Sequence, residues 1–379
     1  MRNRAGMKRV VLSGVGVEIP EASISNEELV DSFNVWVDRE NATRCLNGAP
    51  LLQKSDSDFI VYASGVRNRH VLVRDGILDP DRMTPRIAPR PDDQLSVMAE
   101  FGVASARKAL ADAGREAADI DLVICASSHQ QRPYPAIAIE IQNELGTRGA
   151  AFDMNLGCSS AGAAIHIAHN LVRAGGHRRV LVVSPEIITG QLNFRDRQTH
   201  FIFGDASASV LVEAMEEGSK PKGAFEILAS DTWTQFSNNI RTNFGFLVRA
   251  GQEDVSVVDM EGNMITQVGN KVFKEVTVAA HRFITDFLAR QDLTSAQMRR
   301  FWLHQANARM NAMILKLSLG HEADHDRAPM VLDRLGNTAA AGAIIALEEN
   351  RRDLSAGDYG LFCAFGAGYS IGAALLKKL

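Results

Sequence analysis

The stretch LGCSSAGAAIHIA beginning at Leu156 returns, without a gap, as LGNTAAAGAIIAL from Leu335, with small and apolar residues at matching positions. The match sets Cys158 opposite Asn337. At the same offset, the segment ending at Cys125 falls opposite the one ending at His304, and residues 180–184 fall opposite 359–363. Three equivalences at one spacing describe a duplication, so the chain should fold as two related halves. The apolar runs 9–15, 120–126, 179–184, 208–212 and 360–365 read as buried strands, and they alternate with helical patterns. One such pattern is 95–113, where Met98, Phe101 and Leu110 share an apolar face, Asp92 and Asp93 precede it and Gly114 supplies a stop. The expectation is α/β layering with largely buried strands. The polar segment EAMEEGSKPKG at 213–223 reads as the linker, giving an N-terminal half of 1–217 and a C-terminal half of 218–379. In such a duplication, Cys158 and Asn337 meet near a pseudo-twofold axis, with a site between the halves.

Composition narrows the classes of function. Of 379 residues, 46% are hydrophobic and 23% charged, enough to build a large core and too apolar for long disorder. A formal net charge of −4 gives no global attraction to nucleic acid or to an anionic membrane, so neither is expected as a partner. No apolar stretch is long enough for a signal peptide or a membrane span, and the protein is expected in the cytoplasm. The cysteines, Cys45, Cys125, Cys158 and Cys363, form no C-x-x-C pair, which argues against a zinc site and a disulfide framework. Each is read as a free thiol, and a free thiol is by default a small buried hydrophobe.

Local chemistry singles out three residues. Cys158 follows the strand-like AFDMN and precedes the small-residue helix SSAGAAIHIA, so its thiol falls at a helix N-terminus. Orphan amides and the helix dipole there are expected to lower the thiol pKa toward neutrality, although a packing cysteine would satisfy the same pattern. His304 ends the strand-like FWLH and lies on the same edge as the two helix starts, whereas the other nine histidines are read as structural, His166 and His169 along the helix after Cys158. Asn337, in DRLGNTAAAGA, resembles a helix cap, but its correspondence with Cys158 goes beyond capping.

With these residues in place, the chain resembles the ketoacyl-acyl carrier protein synthase III family of the thiolase-like superfamily. The likeness runs from VVLSGVGVEIP to FGAGYSIGAALL, through SGVRNRHV, DRQTHFIFGDASASV, HQANARM and DRLGNTAAA. It implies a duplicated thiolase-like fold, layered α-β-α-β-α with two pseudo-symmetric halves, and a catalytic set of Cys158, His304 and Asn337. It also implies an oxyanion hole from the backbone N–H groups of Cys158 and Ala367. The implied reaction is a decarboxylative Claisen condensation: Cys158 takes an acyl group from acyl-CoA, malonyl-acyl carrier protein loses CO2, and a 3-oxoacyl thioester forms. No cofactor or metal is implied, acyl-CoA and acyl carrier protein are the partners, and a homodimer is expected.

The resemblance also assigns a substrate entrance. Arg197 takes the place of an arginine at the CoA adenine, Arg309 that of a basic residue at the carrier-protein docking face, and Phe59 that of an adenine-stacking tryptophan. Ala63 stands where the family carries an arginine near the CoA phosphates. Residues 41–57 look like an insertion with a turn signal, expected either as a plain surface loop or as a cap that shifts starter recognition from the nucleotide to the acyl chain. Phe203–Asp205 is read as structural. Three other readings stay open: acyl transfer to oxygen or nitrogen, nondecarboxylative condensation of two acyl-CoAs, and a catalytically silent acyl-binding subunit.

Overall fold

The computed structural model describes residues 7–251 and 264–379, apart from residues 217, 219, 220 and 222. In the first half the elements run β1 (Val10–Glu18), β2 (Ser23–Ser25), α1 (Asn26–Leu46), α2 (Ser57–Ser64), β3 (Asn68–His70) and α3 (Val97–Ala113). They continue with β4 (Leu122–Ala126), α4 (Ile137–Leu145), β5 (Ala150–Met154), α5 (Ser160–Ala174), β6 (Arg179–Glu186) and β7 (Ala206–Ala214). The second half holds β8 (Phe225–Thr234), β9 (Ile240–Arg241), α6 (Phe246–Ala250), β10 (Thr266–Gln267), α7 (Gly269–Ala289) and β11 (Met298–Leu303). It ends with α8 (Ala308–Leu319), α9 (Leu332–Leu335), α10 (Ala341–Glu349), β12 (Tyr359–Gly366) and β13 (Ser370–Lys378).

The duplication is visible in the strand order β11-β12-β13-β8-β1-β7-β6-β4-β5. In the first half β6 lies between parallel β4 and antiparallel β7, with β1 beyond; in the second, β12 lies between parallel β11 and antiparallel β13, with β8 beyond. The halves join where β1 meets β8, at Val11↔Glu226 and Leu12↔Phe225. Helix α5 packs on β6 and β7 and also on β8 and β13, while α10 packs on β11 and β12 and also on β1 and β7. These two helices form the middle layer. Helices α3 and α4 cover the outer face of the first half, and α7, with α8 against it, covers the second. The result is the expected five-layer α-β-α-β-α arrangement.

Small residues are what allow the middle layer to be so thin. A methyl group on Gly162 would stand 2.4 Å from the Gly372 carbonyl oxygen, and one on Gly372 would stand 2.6 Å from the Ala163 nitrogen. The α5 backbone thus rests directly on β13. Strands covered on both faces are apolar throughout, as in β4, where every residue is buried.

Two expectations need correction. The helix read from residue 95 starts at Val97, because the Ser96 hydroxyl accepts from Ala99 N–H and caps it, while Asp92 and Asp93 remain exposed before it. Residues 41–57 are not one loop: up to Leu46 they continue α1, and Ser57 begins α2. The division at residue 217 lies between β7 and β8, in a segment where 217, 219, 220 and 222 are outside the described residues. Among the described residues no helix is long and apolar enough to cross a membrane.

Candidate active site

Cys158 occupies the turn between β5 and α5, immediately before Ser159, the residue that caps α5. The Ser160 hydroxyl fixes this turn by accepting from Leu156 N–H at 2.8 Å and donating to the Gly157 carbonyl at 2.7 Å. Across the interface of the halves, a methyl group on Gly366 would lie 2.7 Å from Cys158 Cβ, so the end of β12 rests on the nucleophile turn. Ser159 Oγ donates to Ser370 Oγ at 2.7 Å, and Ser370 Oγ in turn donates to the Ala367 carbonyl at 2.8 Å. This buried pair holds the Ala367 loop in register with Cys158.

The backbone N–H groups of Cys158 and Ala367 both bear on the thiol and favour its charged form. The expected lowering of the thiol pKa is nevertheless overturned. Burial, reinforced by the Glu186 carboxylate, pushes it up to about 12 against the pull of those two amides. The half-buried side chain is thereby pushed toward its protonated form.

His304 follows β11 directly. Its N–H donates to the Cys363 carbonyl at 2.9 Å, and its own carbonyl accepts from Asn311 Nδ2 at 2.9 Å. The buried imidazole stands edge-on to Phe365, with centroids 5.4 Å apart, and burial depresses its pKa to about 4 despite the Ala339 carbonyl beside the ring. It is therefore neutral at physiological pH. Nδ1 is buried with no partner among the described residues. A proton on Nε2 is the tautomer that leaves no N–H buried and orphaned.

Asn337 does not cap a helix, since α10 begins only at Ala341. Its N–H donates to the Ile202 carbonyl at 2.8 Å, and its Oδ1 accepts from Ala339 N–H at 2.9 Å. With Oδ1 so occupied, Nδ2 is left as a donor with no acceptor among the described residues. The three residues thus converge: Cys158 on Gly366, His304 on Phe365 and Ala339, and Asn337 on Ala339.

Phe59 lies on α2 and Arg309 on α8, with Arg197 packed against Phe59. The Arg197 guanidinium lies 4.5 Å over the Phe59 ring, and its Nε donates to the Lys54 carbonyl at 2.9 Å. Phe59 packs into the same apolar cluster as Cys158 and Ala339. Exposed Arg309, in the first turn of α8, stacks 4.6 Å over Tyr62. Asn307 Nδ2 ties the start of α8 to the Ala63 carbonyl at 2.7 Å. The segment between α1 and α2 is clamped by two asparagines of α1, Asn41 bonding both ways with the Leu52 backbone and Asn34 with that of Ser55. Asp205 is structural, accepting from Leu72 N–H and from the Thr189 N–H and hydroxyl.

One residue of the site went unnoticed in the sequence. Glu186, fully buried at the end of β6, accepts from Ser128 and from Ala340 beyond Asn337, and its signal was a carboxylate closing the run VVSPE. Among the described residues, no group of three or more His, Cys, Asp or Glu side chains is placed to hold a metal ion.

Comparison with known proteins gives a consistent picture. Residues 152–231 match the model of 3-oxoacyl-[acyl-carrier-protein] synthase III, and residues 288–378 match its C-terminal model. The chain is 46% identical over 353 residues to a β-ketodecanoyl-[acyl-carrier-protein] synthase of Pseudomonas aeruginosa, covering 92% of this chain and 100% of that one. It is 31% identical to a β-ketoacyl-[acyl-carrier-protein] synthase III of Rhodospirillum centenum, covering 97% and 99%. Its fold is similar to that of the priming β-ketosynthase of the R1128 polyketide pathway, with a TM-score of 0.76, 25% identity and full coverage of both chains. A 3-oxoacyl-(acyl carrier protein) synthase III from P. aeruginosa shares the fold, with a TM-score of 0.75, 22% identity and 98% coverage of both.

Proposed function

The chain belongs to the 3-oxoacyl-[acyl-carrier-protein] synthase III family of condensing enzymes, and from that premise we propose that it extends an acyl-CoA starter by two carbons from malonyl-acyl carrier protein, through an acyl-enzyme on Cys158. The observation that carries the reading is the convergence on the end of β12 of a thiol between two backbone N–H groups and of two neutral donors, His304 and Asn337.

In the first step Cys158 Sγ bonds to the acyl carbon, the bond to the CoA sulfur breaks, and the thiol proton departs on CoA. The N–H groups of Cys158 and Ala367 take the oxyanion, a contribution of about 3 kcal/mol per donor in comparable sites. In the second step the malonyl carboxylate leaves as CO2, and the electron pair of the broken C–C bond forms an enolate. His304 Nε2–H and Asn337 Nδ2–H donate to the enolate oxygen. The enolate carbon then bonds to the acyl carbon, the Cys158 sulfur leaves and takes a proton from solvent, and the 3-oxoacyl thioester remains on the carrier protein. No cofactor enters any of these steps.

The P. aeruginosa relative is named for a β-ketodecanoyl product, and two-carbon extension to ten carbons requires an eight-carbon starter. A medium-chain starter is the reading adopted here. Arg197 and Phe59 are assigned to the CoA entrance and Arg309 to carrier-protein docking. The enzyme acts in the cytoplasm as a homodimer; the support for a second copy is the open edge strand β5, where Phe152 is exposed, beside exposed Ile139 of α4.

Intact-protein mass spectrometry with short-, medium- and long-chain acyl-CoAs tests the whole reading. The expected result is one adduct on Cys158, strongest for medium chains, discharged by malonyl-acyl carrier protein with release of CO2. No adduct would mean a silent subunit, and discharge without CO2 would mean a nondecarboxylative condensation.

A further inference from the structure

Glu186 is fully buried, yet none of the steps above uses its carboxylate. Oε1 accepts from Ser128 N–H at 2.8 Å and from Ala340 N–H at 3.1 Å. Oε2 accepts from the Ser128 hydroxyl at 2.6 Å, with His129 Nδ1 3.4 Å away. Ser128 belongs to the turn after β4 in the first half, whereas Ala340 belongs to the second half, three residues after Asn337. A single carboxylate therefore bridges the halves at the turn that carries Asn337 Oδ1 on Ala339 N–H and sets the Ala339 carbonyl beside His304.

The bridge depends on length rather than on charge. A glutamine would accept both amides through its Oε1 and donate to the Ser128 hydroxyl through its Nε2. An aspartate, one methylene shorter, could not span from the end of β6 to both Ser128 and Ala340 without moving one of the two halves it joins.

We propose that Glu186 is a positioning residue for the condensation, whose reach from the end of β6 to Ser128 and Ala340 fixes the 337–340 turn, and with it Asn337 and His304, against the half that carries Cys158. This rests on the reading of Cys158, His304 and Asn337 given above.

Two substitutions separate reach from charge. Glu186→Gln keeps the length and removes the charge, whereas Glu186→Asp keeps the charge and shortens the side chain. The first readout is loading of Cys158 from acyl-CoA, followed by peptide mass so that exposed Cys45 is resolved separately. The second is CO2 release from malonyl-acyl carrier protein. Glu186→Gln is expected to retain both. Glu186→Asp is expected to load within a few-fold of the unsubstituted enzyme and to slow CO2 release several-fold. Wild-type CO2 release in Glu186→Asp, its loss in Glu186→Gln, or equal losses of loading and CO2 release in Glu186→Asp would overturn the positioning role. If the unsubstituted enzyme takes no acyl group from any acyl-CoA, the functional reading itself fails.

Discussion

At Asn337 the division of labour within the site comes down to a single amide. Its Oδ1 is held by Ala339 N–H, so only Nδ2 can serve a substrate, and it can serve only as a donor. His304, depressed to about 4 by burial, likewise offers an N–H and no charge. Two neutral donors suit an enolate oxygen better than they suit deprotonation of a thiol. His304→Ala and Asn337→Ala are therefore expected to cut CO2 release by a factor of about 100, in line with the loss of one preorganised donor, and to leave loading of Cys158 from acyl-CoA within a few-fold. Quench-flow loading followed by mass spectrometry, set against CO2 release, checks this; impaired loading with intact decarboxylation would reverse the roles. These two residues and Cys158 could be singled out because the repeat set matching positions of the two halves opposite each other. The direction of the thiol's shift was not legible. A helix start argues for a lowered pKa, and only the enclosure of the half-buried side chain in the fold pushes it the other way.

Helix α1 runs up to the turn at Asn47–Gly48, with Asn47 as its C-cap, and the chain then folds back along the helix. Asn34 and Asn41 take the place of strand pairing for that returning segment, holding Ser55 and Leu52. The returning segment in turn holds Arg197 through the Lys54 carbonyl, with its guanidinium directly on the Phe59 ring. Arg197 and Phe59 are in face contact, so no third planar group lies between them. Acylation by acyl-CoA and by the matching acyl-pantetheine thioester should therefore differ only a few-fold. Asn41→Ala should loosen the segment and change KM for acyl-CoA more than kcat. A large loss on removing the nucleotide from the substrate, together with an unaltered KM in Asn41→Ala, would leave the segment as a surface feature. The strands and the α5–α10 pair could be read from sequence because apolar runs and small-residue helices have fixed periods. The α1–α2 cap could not, since it depends on asparagine side chains closing onto backbone that is distant along the chain.

Several imidazoles are buried away from water at separate places in the fold, and this shapes the acid response of the molecule as a whole. His200 stands edge-on to Phe33 at 4.4 Å and to Phe201 at 5.7 Å, its Nδ1–H donating to the Phe194 carbonyl at 3.2 Å, and burial lowers its pKa to about 3. His169, against Ser230, and His304 are each lowered to about 4, again by burial. In the unfolded chain all three return to about 6.5. A folded-state pKa below the unfolded value means that the unfolded chain binds more protons across the interval from about 6.5 down to about 4. Stability therefore falls as pH drops through that window, by up to about 1.4 kcal/mol per pH unit for each histidine. Asp153 and Asp205, raised by burial, oppose this at the acid end. His200→Gln isolates one contribution, because glutamine keeps a donor for the Phe194 carbonyl and cannot titrate. Between pH ~7.5 and pH ~5 the variant should lose about 2 kcal/mol less unfolding free energy than the unsubstituted protein, read from denaturant titrations at each pH. The carboxylates are common to both proteins and cancel in the difference. Parallel losses in the two proteins would mean that His200 takes up its proton over the same pH range folded and unfolded, so that burial does not depress it.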